Sequence, residues 1–174
     1  MPPLYGFLGE GAVAFLSGFG WPRPVGHEPG AWVRAVVDAP REVVRGFPVE
    51  HLPWWLDDEL WEVELDGSLV AQARAVAGDR ARLLRRIDAW TPETARELVA
   101  ACERRVRDAQ LETYADDVLL YADDAGRPAA AAAVAAYIAA HALAGGEKDA
   151  PGYEAGFESE RRWQVEWLKQ RLQL

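Results

Sequence analysis

Between Leu60 and Asp66 the side chains alternate, with Trp61, Val63 and Leu65 set against Glu62, Glu64 and Asp66. A period of two places the apolar set on one face of a strand and the carboxylates on the other. The rest of the first half carries shorter signals of the same kind. Leu4–Leu8 and Ala12–Leu16 flank the Gly9-Glu10-Gly11 turn, and the valine-rich runs Ala31–Val37 and Glu42–Phe47 lie on either side of Ala39-Pro40. All four are predicted strands. Ser17–Gly30 holds Pro22, Pro24, Pro29 and four glycines and is predicted to be an irregular loop. Asp66-Gly67 is a hairpin signal leading into Leu69–Ala77. Residues 78–90, GDRARLLRRIDAW, fit a strand and a helix equally well.

After Trp90 the apolar residues recur at three and four. Thr91-Pro92-Glu93 supplies an N-cap hydroxyl, a proline at the first helical position and an acid at the positive end of the helix dipole. Ala95, Leu98, Val99, Cys102, Val106 and Ala109 then form one inward stripe. A shorter helix around residues 114–123 is expected to turn Val118 and Tyr121 inward. Pro128 opens an alanine-rich helix that Gly145-Gly146 closes, with Val134, Tyr137, Ile138 and His141 along one side. Its small side chains let neighbouring helices approach closely, which predicts a central place in a bundle. The last helix, residues 153–172, is expected to bury Phe157, Val165, Leu168 and Leu172, with Trp163 and Trp167 widening that face. The pattern predicts an α+β fold: an N-terminal β-rich antiparallel unit, residues 1–90, packed against a C-terminal α-helical bundle, residues 91–174. No internal repeat is visible.

A chain of 174 residues buries roughly 70 % of its unfolded surface on folding, enough for a core without metals or disulfides. Its single cysteine, Cys102, excludes an intrachain disulfide and any CxxC site, and suits a reducing cytoplasm. The formal charge of -9 opposes long-range attraction to phosphate backbones, so nucleic acid is not an expected partner. The N-terminus lacks the basic segment and apolar run of a signal peptide, and no stretch approaches a membrane span.

Several short segments carry a resemblance: Phe15-Leu16-Ser17-Gly18-Phe19-Gly20-Trp21-Pro22, Pro29-Gly30-Ala31-Trp32-Val33, His51-Leu52-Pro53-Trp54-Trp55-Leu56, residues 59–67, and Glu160-Arg161-Arg162-Trp163-Gln164 with Trp167-Leu168. With these the chain resembles a family of uncharacterised bacterial proteins from actinobacteria and similar high-GC genomes. That resemblance implies no activity, cofactor or catalytic residue. In the C-terminal half, the alanine helix with its internal His and the ERRWQ segment are similar to the helical part of immunity proteins encoded beside polymorphic toxins.

Function is sought first in Glu50–Gly67, where Trp54, Trp55 and Trp61 stand among seven acids and no Lys or Arg occurs between Arg45 and Arg74. Glu62, Glu64 and Asp66, with Asp57, Asp58 and Glu59 just before them, present a row of one charge that a basic protein partner would recognise. Carboxylates two apart on a strand also raise one another's pKa, as a general acid/base pair requires, while a solvated sheet face is the simplest reading of all. Trp21, in a Pro/Gly loop, is a candidate for surface recognition or for folding back onto the sheet. His27, His51 and His141 stand at no metal-ligand spacing; His51 with Asp57 or Asp58 is the one combination whose chemistry suits a divalent cation. No GxSxG or phosphate loop is present. The sequence thus predicts no catalytic residue, no cofactor and no metal. It points to a non-catalytic protein-binding module, of which an immunity or antitoxin-type inhibitor is one form, with partner-binding residues Trp21, Asp57, Asp58, Glu59, Glu62 and Glu64. An enzyme using His51 and the neighbouring carboxylates in a pocket between the two units is the alternative, and a structural homo-oligomer subunit the third.

Overall fold

The computed structural model describes residues 2–14, 18–34 and 44–174. The fold is α+β: among the described residues, seven strands lie in the first half and four helices in the second, in two compact units, Met1–Asp88 and Ala89–Leu174.

In the first unit β1 (Leu4–Leu8), β4 (Glu59–Asp66), β7 (Arg80–Arg86) and β2 (Val33–Arg34) form an antiparallel sheet in the order β1-β4-β7-β2. A second antiparallel sheet has the order β3-β6-β5, from β3 (Val44–Gly46), β5 (Val70–Ala71) and β6 (Val76–Gly78). The two are joined at the edge of β1, where Tyr5 and Phe47 exchange backbone hydrogen bonds of 2.9 and 2.7 Å. Gly46 permits this approach: a Cβ there would lie 2.9 Å from the Leu4 Cβ.

The period of two in β4 acts as expected. Trp61 and Val63 are buried with Leu8, Ala12, Val44, Ala81 and Leu83, and Leu65 packs against the same cluster. A fully buried leucine such as Leu83 contributes about 2 kcal/mol. The turn after β4 differs from expectation. Asp66-Gly67 does not turn the chain into a strand paired with β4; β5 and β6 pair with each other, and β4 pairs with β7 beyond them, Asp66 opposite Arg80. The ambiguous segment, residues 78–90, holds strand β7, with a register shift opposite Glu62/Val63 that leaves Leu84 unpaired. The strand expected over Ala12–Leu16 reaches only isolated bridges at Val13, and its last two residues lie outside the described ones. The described part of Ala31–Val37 contains β2, and that of Glu42–Phe47 contains β3; the remainder of both runs lies outside the described residues.

The second unit contains α1 (Pro92–Asp108), α2 (Glu112–Asp124), α3 (Pro128–Leu143) and α4 (Tyr153–Leu172). The Thr91 hydroxyl accepts the Thr94 N–H at 3.1 Å, capping α1 as its sequence predicts. Helix α3 packs against each of the other three, and eight of its alanines are buried. Its bulky side is the more exposed one: Tyr137 is exposed, and Val134, Ile138 and His141 are half-buried. Alanine faces allow close helix contact, so the larger residues were left for the rim. Tyr121 on α2 is likewise exposed, whereas Ala115 and Val118 are buried. In α4 the inward stripe contains Glu160, Arg161 and Gln164 besides the apolar residues expected there.

Candidate interaction surface

The carboxylates of Glu62, Glu64 and Asp66 on β4 are not a free row. Each faces an arginine of β7 across the ladder: Glu62 Oε2 accepts from Arg85 Nε at 2.6 Å, Glu64 Oε2 from Arg82 Nε at 2.6 Å, and Asp66 Oδ2 from Arg80 Nε at 2.8 Å. The guanidinium of Arg80 and the Gly67 N–H hold the Asp66 carboxyl below its usual range. Arg80 and Arg82 also lie over the Trp32 ring, 4.6 and 4.5 Å from its centroid. This face is therefore a ladder of alternating charge with a tryptophan at one end, and a basic partner at Glu62 and Glu64 would have to displace arginines already in place.

Asp57, Asp58 and Glu59 turn toward the Gly9–Ala12 turn instead. Asp58 Oδ2 accepts the Glu10 N–H at 3.3 Å, and Asp57 Oδ1 accepts the Asp58 N–H at 2.9 Å. Glu59 is buried and accepts four donors: the N–H groups of Gly11 (3.2 Å) and Ala12 (3.1 Å), Trp61 Nε1 (3.0 Å) and Arg23 Nη2 (3.4 Å). Gly11 and Ala12 have φ of 83° and 58°, so their N–H groups converge on one carboxylate as in an anion-binding concavity. The site residue Glu59 thus fastens a strained turn to the sheet. Trp21 donates its backbone N–H to the Ala12 carbonyl at 2.9 Å and packs, half-buried, against the sheet's core cluster.

His51 is half-buried in a 3-10 helix, Val49–Trp54, and its N–H bonds the Pro48 carbonyl. His27 is exposed. His141 Nδ1 shares a 2.9 Å hydrogen bond with the Tyr153 hydroxyl, and the rings of Tyr114 and Tyr137 lie against the imidazole. Among the described residues no group of three or more His, Cys, Asp or Glu side chains is arranged to hold a metal ion. Cys102 is fully buried, and burial pushes its thiol far above the ordinary range.

What the tryptophan-rich segment does expose is aromatic and cationic. Trp55, 42% exposed, stacks on Phe47 with ring centroids 4.7 Å apart. Arg74 lies over the Trp54 ring at 3.8 Å. Arg74 belongs to the turn between β5 and β6, in which the Gln72 N–H bonds the Ala75 carbonyl, and the Gln72 side chain accepts from Arg45 Nε of β3 at 3.1 Å. One surface therefore gathers Arg45, Phe47, Trp54, Trp55, Gln72 and Arg74 from three separate parts of the unit. Neither Arg45 nor Arg74 is in an ion pair with a described residue. The sequence signal was the pair Trp54-Trp55 itself; the arginines come from beyond the acidic run and only the pairing of β3, β5 and β6 brings them there.

Compared with known proteins, the chain matches no family model, no curated protein and no solved structure. No helix of the described residues is long and apolar enough to cross a membrane.

Proposed function

We propose that this protein is a non-catalytic protein-binding module acting in the cytoplasm, and that it engages a partner through the Trp54–Trp55 surface. The observation that carries the reading is an exposed Trp55 stacked on Phe47 beside two arginines that have no carboxylate partner among the described residues. Tryptophan and arginine dominate the binding energy of interfaces, because each offers a large flat apolar area together with a directed hydrogen-bonding or cationic edge. A stacked, pre-positioned ring also loses little side-chain freedom on binding. In the tryptophan-rich segment, the immunity-type form of the reading, an acidic protein occluding a basic cleft, needs carboxylates free to leave their neighbours. Those of β4 are engaged with arginines, and those of residues 57–59 with backbone N–H groups or inside the turn.

A photo-crosslinking residue placed at Trp55 tests the proposal in the producing cell. A discrete cross-linked protein, lost when Arg74→Glu is added, is the expected result. No adduct, together with stabilisation of about 2.7 kcal/mol by a metal or nucleotide at a hundred times its dissociation constant, would favour a small-molecule enzyme instead.

A further inference from the structure

Residues 89–174 contain fifteen acids and ten bases. Helix α2 holds five of those acids, Glu112, Asp116, Asp117, Asp123 and Asp124, and neither Lys nor Arg. The rest of the unit is balanced, so its whole net charge resides in this one helix. Arg107 of α1 pairs with Glu112 and Asp116. Asp117, Asp123 and Asp124 are in no ion pair with a described residue.

The same helix exposes large apolar side chains. Leu119, Leu120 and Tyr121 are 48%, 57% and 51% exposed, and the helix is anchored instead by Ala115 and Val118, both fully buried. Successive helical residues point about 100° apart. Going round α2, Asp116 and Asp123 fall between Leu119 and Leu120, and Asp117 and Asp124 fall between Leu120 and Tyr121. Apolar and acidic stripes thus alternate around the side that the other helices leave open. Neither packing within the unit nor helix propensity calls for such a pattern, since like charges on neighbouring turns repel and exposed leucines gain nothing from the core.

The charge decides the occupant. A second copy would set acids against acids, and a phosphate-bearing surface would be repelled in the same way. We infer that α2 docks into a groove of a partner protein whose floor is apolar and whose walls carry Lys and Arg. The helix then supplies the side chains and the partner the cavity, the helix-in-groove mode of recognition with acids as its specificity elements. This inference rests on the protein-binding reading but uses a surface that reading does not, so the two fail separately.

An amphipathic peptide of Leu and Lys, which offers ammonium groups on both sides of a leucine stripe, serves as the probe. It is titrated into the ¹⁵N-labelled full chain at low and high salt. Amide shifts confined to residues 112–124, a loss of affinity of tenfold or more at high salt, and a similar loss in both Leu120→Ser and the double variant Asp123→Lys/Asp124→Lys are expected. Trp55→Ala should bind the probe as the wild type does. Circular dichroism of each variant shows whether α2 persists. Three results would overturn the inference: shifts spread over every acidic surface, an affinity that Leu120→Ser leaves unchanged, or sedimentation showing a dimer that Leu120→Ser dissolves.

Discussion

Glu59 illustrates how one residue's role follows from its parity. Counting along β4, position 59 falls on the same face as Trp61, Val63 and Leu65, the face that is buried. The sequence therefore placed a carboxylate inside, but its neighbours Asp57 and Asp58 made it look like the start of an exposed acidic run. What the alternation does not contain is the partner, because the N–H groups that satisfy Glu59 come from a turn 47 and 48 residues away. Removing the side chain leaves two backbone N–H groups and the Trp61 indole without an acceptor in a buried setting. Each such orphan costs about 1–3 kcal/mol, partly relieved by water at the Arg23 side. Glu59→Ala is expected to destabilise the protein by about 3 kcal/mol, while Glu62→Ala, whose arginine partner Arg85 is exposed, should cost well under 1. Urea unfolding followed by tryptophan fluorescence distinguishes the two; equal losses would contradict the role assigned to Glu59.

At the scale of elements, what was legible was whatever kept its period. Strand β4 and helix α1 did, and both lie within a residue or two of their predicted bounds. Strand β7 did not, because Leu83-Leu84 and Arg85-Arg86 interrupt the alternation; the unpaired Leu84 is that interruption seen in the ladder. Helix α4 kept its period but filled it with polar residues. Positions 157, 160, 161, 164, 165, 168 and 172 make a single stripe, yet an apolar template skips Glu160, Arg161 and Gln164, so the network they form was missed. Gln164 donates to the Ala136 carbonyl of α3 at 2.8 Å and accepts from Arg161 Nη1 at 2.9 Å, and Glu160 is held by Arg105 of α1 at 2.7 Å. A buried ion pair is costly to make and costlier to break. Burial raises the Glu160 pKa above 4.5, and the Arg105 hydrogen bond opposes the rise without cancelling it. A carboxyl group whose folded pKa is raised contributes stability that is full below its unfolded value and is lost as pH climbs through the folded one. The stability of the wild type relative to Glu160→Gln should therefore grow as pH falls from neutrality toward 4.5. Arg105→Ala, which strands the carboxylate, should cost about 2 kcal/mol at neutral pH, less than a fully buried pair because Arg105 reaches solvent, and less again in acid. A wild-type advantage that is flat or shrinks on acidification would refute the account.

For the molecule as a whole, the change of period near Trp90 coincides with the division into units, Asp88 ending one and Ala89 starting the next. Such a boundary is legible because a sheet and a bundle bury their apolar residues by different rules, two positions apart in one and three or four in the other. Surface chemistry was less so. The charge pattern pointed to Glu62, Glu64 and Asp66, which turn out to be matched by arginines of β7, whereas Asp117, Asp123 and Asp124 of α2 have no ion-pair partner among the described residues, on a helix whose inward and outward positions the expected burial of Tyr121 had misjudged. Autonomy of the helical unit can be argued from its own contents. Residues 89–174 bury Leu98, Cys102, Val106, Val118, Phe157, Val165, Leu168 and Leu172 around the alanine face of α3, and need no disulfide. Domains below about 70–80 residues seldom fold without staples, and this segment lies just above that size. Expressed alone, it is expected to retain the far-ultraviolet signature of four helices and to unfold in urea in one cooperative step. Its midpoint should fall when Gln164 is replaced by Ala, because the bond to Ala136 closes α4 onto α3 within the same segment. A fragment that is helical but melts gradually, without responding to Gln164→Ala, would show that the buried network is not sufficient to fix the packing of these helices, and would move the source of their order outside the segment.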